Sequence, residues 1–213
     1  MPKPIVVIDY EMGNLRSVAN ALARSGAAPV VTRDPERIRG AAGVVLPGVG
    51  AFGACMTNLE TLGLTGVVRE VIERGTPFLG ICLGMQVLFE ESEEFGPVRG
   101  LGVLRGRCVR FPRRAGLPVP HMGWNRLHQR RPVPHLAGVP EGAYAYFVHS
   151  YYVVPEDEAV VVTTTDYGGA FVSAVARDRL FACQFHPEKS QQVGLRLLRN
   201  FVAVVREAET GGS

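Results

Sequence analysis

The sequence predicts an α/β fold, doubly wound around a mostly parallel sheet with an antiparallel extension. Three observations carry that expectation. Short β-branched apolar runs alternate with helix-like stretches through residues 4–91, the signature of successive strand–helix units with helices on both faces of a sheet. The second half changes to strands of mixed alternation joined by Gly and Pro turns. No linker, repeat or low-complexity tract interrupts the 213 residues, so a single domain over 1–213 is expected.

Each element has a local cause. Residues 4–10 (PIVVIDY) form a continuous β-branched run, as in a strand buried on both faces. Asn14 stands where an N-cap belongs, before a helix expected to end near Ser25 with Gly26 beyond it. Pro29–Thr32 reads as the second strand, and Asp34 followed by Pro35 as a helix cap and first-turn proline. Residues 43–46 (GVVL) make a third strand stopped by Pro47-Gly48, and a helical stretch runs on to about Arg74. Residues 77–81 (PFLGI) make a fourth strand, and residues 83–91 read as helix. Further strands are expected at 102–111, 122–127, 143–153, 159–164, 170–176 and 180–185, with loops at 113–120 and 129–134. Ser190 can cap a closing helix whose Val193, Leu197, Phe201, Val204 and Val205 share a face. The tail from Gly211 to Ser213 should fray.

Composition excludes several classes of function. Lys and Arg total 23 against 20 Asp and Glu, a charge of +3, too mild to demand nucleic acid. Arg is dense from 105 to 131, but aromatics are sparse there, which suits a solvated or docking face better than a nucleic-acid groove. No apolar run approaches the ~20 residues of a membrane span, and the N-terminal run is too short for a signal peptide. The cysteines at 55, 82, 108 and 183 are scattered, so neither zinc nor disulfides are expected and a reducing cytoplasm suits the chain. His121, His128 and His135 recur every seven residues, but glycine and prolines break the segment, and no metal is expected there.

The chemistry concentrates in two segments. Gly80-Ile81-Cys82-Leu83-Gly84 lies where an apolar strand gives way to a helix, the setting of a nucleophile elbow with Cys in the place of Ser. The helix start favours thiolate, and the Leu83 N–H would face an oxyanion. Taken alone, the pentapeptide is as consistent with a buried structural cysteine. Gln184-Phe185-His186-Pro187-Glu188 follows another strand, so His186 should lie at a strand end, with Glu188 placed to orient its ring. Gly48-Val49-Gly50-Ala51-Phe52-Gly53 matches a dinucleotide fingerprint, but it follows the third strand rather than the first. Its glycines suit a second source of oxyanion donors better, from Gly48, Val49 and Gly50.

These two segments together, GICLGMQ at 80–86 and QFHPEKS at 184–190, resemble the triad-type (class I) glutamine amidotransferases. Within that family, residues 9–17 (DYEMGNLRS), 46–52 (LPGVGAF), 121–125 (HMGWN) and 146–152 (YFVHSYY) resemble the glutaminase subunits of imidazole glycerol phosphate synthases. The resemblance covers essentially the whole chain, with one departure: Glu11 stands where Gly is expected. It implies the family's three-layer fold, a Cys82–His186–Glu188 triad and hydrolysis of L-glutamine through a thioester without a cofactor. It implies a glutamine pocket at Gly50, Gln86, Ser150 and Tyr151. It also implies a (β/α)8-barrel cyclase partner, met through Asn14, Trp124, Tyr146 and Lys189, which takes up the ammonia. The rival readings are a glutaminase feeding anthranilate, pyridoxal phosphate or GMP synthesis, a free-standing thiol hydrolase, and a silent regulatory module.

Overall fold

Alternation along the first strand explains the layering. In β1 (Ile5–Ile8), Val6 and Ile8 enter one apolar cluster while Ile5 and Val7 enter another on the opposite face. The computed structural model describes residues 3–113 and 116–211, so two residues of the expected loop at 113–120 and the last two of the tail lie outside the described residues.

The first half follows the expected units: α1 (Leu15–Arg24), β2 (Pro29–Thr32), α2 (Pro35–Arg39), β3 (Gly43–Gly48), α3 (Phe52–Thr61), α4 (Leu64–Glu73), β4 (Phe78–Cys82) and α5 (Leu83–Gln86). The second half adds β5 (Phe89–Ser92), β6 (Val98–Arg99), β7 (Leu104–Arg110), β8 (His121–Arg126), β9 (His128–Gln129), β10 (Tyr144–His149) and β11 (Tyr151–Pro155). It closes with β12 (Val161–Asp166), β13 (Ala170–Arg177), β14 (Leu180–Cys183) and α6 (Gln191–Thr210). Strands β2, β1, β3, β4 and β14 lie side by side in parallel. The sheet continues antiparallel through β13, β11 and β7, then through β5, which is parallel to β7, and β6, which is antiparallel to β5. Apolar residues of α2, α3 and α4 cover one face, and those of α1 and α6 cover the other. This is the predicted mostly parallel, doubly wound sheet between two helical layers. No helix among the described residues is long and apolar enough to cross a membrane.

Five expectations need correction. The helix expected over residues 83–91 ends at Gln86, and Phe89–Ser92 is a strand paired with β7 and β6. Sheet pairing overrides local helix propensity there. The stretch expected to run helical to Arg74 breaks at Gly63, which is left-handed. The single strand expected over 143–153 is two strands, with Ser150 between them. One of these, β10, pairs with β8 in a separate two-stranded ribbon. Asp34 caps α2 through the Glu36 N–H, as its sequence suggests, but Asn14 and Ser190 make no side-chain cap.

Candidate active site

β4 delivers Cys82 to the carboxyl end of the sheet, and α5 starts at the next residue. The chain turns from strand to helix at Cys82 itself, with φ 54° and ψ −110°. A non-glycine residue in such a region costs about 1–3 kcal/mol, so the surrounding fold must enforce it. The flanking glycines make room. A Cβ on Gly84 would fall on the Leu46 carbonyl oxygen, and one on Gly80 would lie 2.8 Å from the Gly84 carbonyl oxygen. The Gly-x-Cys-x-Gly spacing is therefore a steric requirement of the elbow.

β14 runs parallel to β4 with Cys183 opposite Ile81, so His186 emerges at the same edge as Cys82. Its backbone N–H donates to the Tyr146 carbonyl at 2.9 Å. The Ser190 hydroxyl donates to the His186 carbonyl at 2.7 Å and accepts the Tyr146 N–H at 2.9 Å. That use of its hydroxyl explains why Ser190 does not cap α6. The His186 Nδ1 lies 2.8 Å from Glu188 Oε1, with both side chains 1% exposed. A carboxylate can only accept, so Nδ1 carries the proton and Nε2 is the nitrogen left for Cys82. Nε2 is buried and closes no hydrogen bond of ordinary geometry among the described residues. Burial works against charge on this ring, but the Cys82 sulfur and the Glu188 carboxylate outweigh it and raise the pKa to about 9. By contrast, burial pushes Cys55 up to about 12 and also raises Cys108 and Cys183, which keeps these three as packing thiols.

A cavity of about 260 Å³ opens over Cys82 and His186. Its walls include Val49, Gly50, Leu83, Gln86, Ser150 and Tyr151, all named from the sequence. Gly48 lies behind this wall, where a Cβ would meet Tyr10 Oη, Leu83 and Gly84 within 3 Å. Glu94, Pro120, Val148 and His149 also line it, and sequence reasoning missed all four. Glu94 Oε2 accepts the Phe52 N–H at 2.7 Å. Nothing local separates Glu94 from the other glutamates of its acidic run, whereas His149 lay inside a matched motif without a role. A larger basin of about 920 Å³, among Arg69, Arg99 and Arg107, holds none of these groups.

Buried amides connect the cavity wall to the sulfur. Gln86 Nε2 donates to the Tyr151 carbonyl and to Gln184 Oε1, both at 3.0 Å. Gln184 Nε2 points to Cys82 Sγ at 3.6 Å. His149 Nδ1 also donates to the Tyr151 carbonyl at 2.8 Å, and its Nε2 meets His121 Nδ1 at 3.0 Å. Burial lowers His121 to about 4 and His149 to about 3, so both rings are neutral. His128 instead faces solvent beside Glu141. Among the described residues no group of three His, Cys, Asp or Glu could hold a metal ion.

The opening turn leans on this site. Tyr10 Oη donates to the Pro47 carbonyl at 2.7 Å, and Met12 reaches toward Gly50. Glu11 has φ 67°, a conformation glycine adopts freely, which accounts for the glycine expected there. Its carboxylate is paired with Arg33, which also holds Asp9. Trp124, on β8, meets the Tyr146 ring edge-on at 5.9 Å, and Lys189 Nζ lies 5.7 Å from the same ring. These three residues thus share one surface patch, and Asn14 heads α1.

The class-I glutamine amidotransferase family model matches residues 6–205. The imidazole glycerol phosphate synthase subunit HisH of Moorella thermoacetica is 53% identical over 210 residues, 99% of this chain and 99% of that protein. The subunit of the same name from Aquifex aeolicus is 56% identical over 197 residues, 92% of this chain and 94% of that one. A solved glutamine amidotransferase is similar in fold, with TM-score 0.73 and 23% identity over 94% of this chain and 98% of that one. The structure of PurLQS from Thermotoga maritima gives TM-score 0.72 and 20% identity over 97% and 99%.

Proposed function

The chain belongs to the class-I glutamine amidotransferase family, and from that premise we propose that it is the glutaminase subunit of an imidazole glycerol phosphate synthase. It is an enzyme, and the observation that carries the finer reading is the identity above half with HisH subunits over nearly the whole chain. In this reading Cys82 attacks the side-chain amide carbon of L-glutamine. Backbone N–H groups of Leu83 and the Gly48–Val49–Gly50 segment hold the oxyanion; losing one such donor typically costs about 10²–10³ in rate. His186, charged once it has taken the thiol proton, passes that proton to the leaving ammonia. It then takes a proton from the water that hydrolyses the glutamyl thioester. Glu188 fixes the ring's tautomer and supports its charge.

Gly50, Gln86, Ser150 and Tyr151 form the glutamine pocket, and Glu94 offers a carboxylate for the substrate's ammonium group. No cofactor is required. Ammonia released into water would take a proton and lose its nucleophilicity, so it passes within a heterodimer to a (β/α)8-barrel cyclase in the cytoplasm. Asn14, Trp124, Tyr146 and Lys189 meet that partner. The cyclase uses the ammonia on a phosphoribulosyl-formimino carboxamide nucleotide.

Two assays test the reading. Cys82→Ala in the assembled pair should abolish glutamine-dependent synthesis and leave ammonia-dependent synthesis intact; loss of both would move Cys82 to a structural role. The cognate cyclase with its nucleotide should raise glutaminase turnover many-fold, and equal turnover with and without that pair would remove the assignment.

A further inference from the structure

We infer that Gln184 is a hydrogen-bond donor to the Cys82 sulfur, oriented by Gln86 and the Tyr151 carbonyl, and that it sets how much of the nucleophile is present as thiolate. This rests on the reading of Cys82 as the nucleophile. The orientation of the two amides follows from their neighbours. Here the neighbours leave one solution. A backbone carbonyl can only accept, so Gln86 must turn its Nε2 toward Tyr151. The second hydrogen of that amide then meets Gln184, which must present its Oε1. Gln184 Nε2 is left facing Sγ at 3.6 Å. The reversed Gln184 would set two donors against each other at Gln86 and an oxygen lone pair against the sulfur.

The anchor is rigid. The Tyr151 carbonyl is held by a second donor, His149 Nδ1, whose Nε2 is in turn engaged by His121. Gln184 is fully buried, so water does not compete for its amide, and Gln86 is buried except where it meets the cavity. A donor of fixed direction favours the charged acceptor over the neutral one, since bonds to ionised groups are about twice as strong. Gln184 therefore stabilises thiolate over thiol through contacts made within this chain alone.

The test is the rate of Cys82 alkylation by iodoacetamide as a function of pH on the full chain, resolved by peptide mass, with Cys82→Ser as background. Gln184→Met removes the donor at similar volume. It should slow alkylation about tenfold near neutrality, the loss expected for one hydrogen bond to a charged group. The profile should move to higher pH and reach the parent's rate at its alkaline plateau. Gln86→Met, which frees Gln184 to rotate, should move the profile the same way by less, and it carries the test if Gln184→Met does not fold. An unchanged profile in the folded variants would overturn the inference. So would equal slowing at every pH, because that reports access to the sulfur rather than its ionisation. The readout uses no glutamine and no cyclase. If Cys82→Ala still hydrolysed glutamine while the alkylation profile shifted, Cys82 would not be the nucleophile, and only the part of the inference that has Gln184 set the ionisation of this sulfur would stand.

Discussion

The two ends of the cavity carry buried histidines in opposite states. At one end His186 is raised to about 9; at the other His149 is lowered to about 3 and its neighbour His121 to about 4. All three are nearly inaccessible, so burial does not separate them. The difference is the partner. His186 has the Glu188 carboxylate and the Cys82 sulfur, whereas His149 has a carbonyl and another imidazole. A buried ring stays charged only where a negative group repays desolvation. The same cavity thus has a ring that holds a proton on one wall and a neutral, direction-fixed scaffold on the other. Their links to folding have opposite signs. His186, raised above its ordinary 6.5, contributes stability in full below that pH and loses it as pH rises through about 9. His121 and His149 do the reverse. Their contribution is intact above 6.5 and is lost as pH falls toward about 4 and about 3, because the unfolded chain then binds protons that the fold refuses.

The largest expected effect comes from breaking the charged end. His186→Ala should lower glutaminase kcat by about 10²–10⁴, the usual contribution of a positioned acid–base group. Glu188→Gln keeps an acceptor for Nδ1 but loses the charge, and should cost about ten- to a hundredfold. Steady-state kinetics of the assembled pair check both, and His186→Ala turning over like the parent would rule the ring out as proton carrier.

The second effect comes from building charge into the neutral end. The Asp side chain can set a carboxylate oxygen near the present position of His121 Nδ1, 3.0 Å from His149 Nε2. His121→Asp should raise the proton affinity of His149 about ten- to a thousandfold. Ring ¹⁵N shifts followed against pH would show it, and an unmoved titration would mean that burial alone governs that end.

The sequence made the charged end legible and the neutral end opaque, for a physical reason. Cys82 and His186 sit at the ends of parallel strands, and the glycines at 80 and 84 are demanded by a turn that can be read locally. Glu188 is two residues from the ring it orients. The parallel strands β1 to β4 follow from continuous apolar runs for the same reason. The network around Tyr151 depends instead on pairs 65 and 98 positions apart, Gln86 with Tyr151 and with Gln184. It also depends on the break at Ser150, which divides one apolar run between two sheets. Phe89–Ser92 was likewise unreadable as a strand, since its partners lie in β6 and β7. Ser190 looked like a cap because it precedes a helix, but its hydroxyl ties His186 to Tyr146.

The smallest effect near neutral pH, and the one that isolates burial from every other cause, is at His135. This ring lies outside the cavity, stacked on Phe181 at 4.7 Å and an interplanar angle of 16°, and neither of its nitrogens has a hydrogen-bond partner among the described residues. Burial alone lowers it to about 4. His135→Phe keeps the stacked face and removes two unsatisfied polar atoms, so it should stabilise the fold by about 1 kcal/mol at pH 8, where the ring is neutral in both states. As pH falls below 6.5 the unfolded parent gains a proton there that the folded parent resists, while the variant has none to gain. The stabilisation should therefore grow by about 2 kcal/mol between pH 8 and pH 5. Denaturant unfolding at the two pH values measures the difference. A gain that did not grow toward acid would mean that the ring finds a partner or water when it charges, and burial would then be the weaker force at the neutral end of the cavity as well.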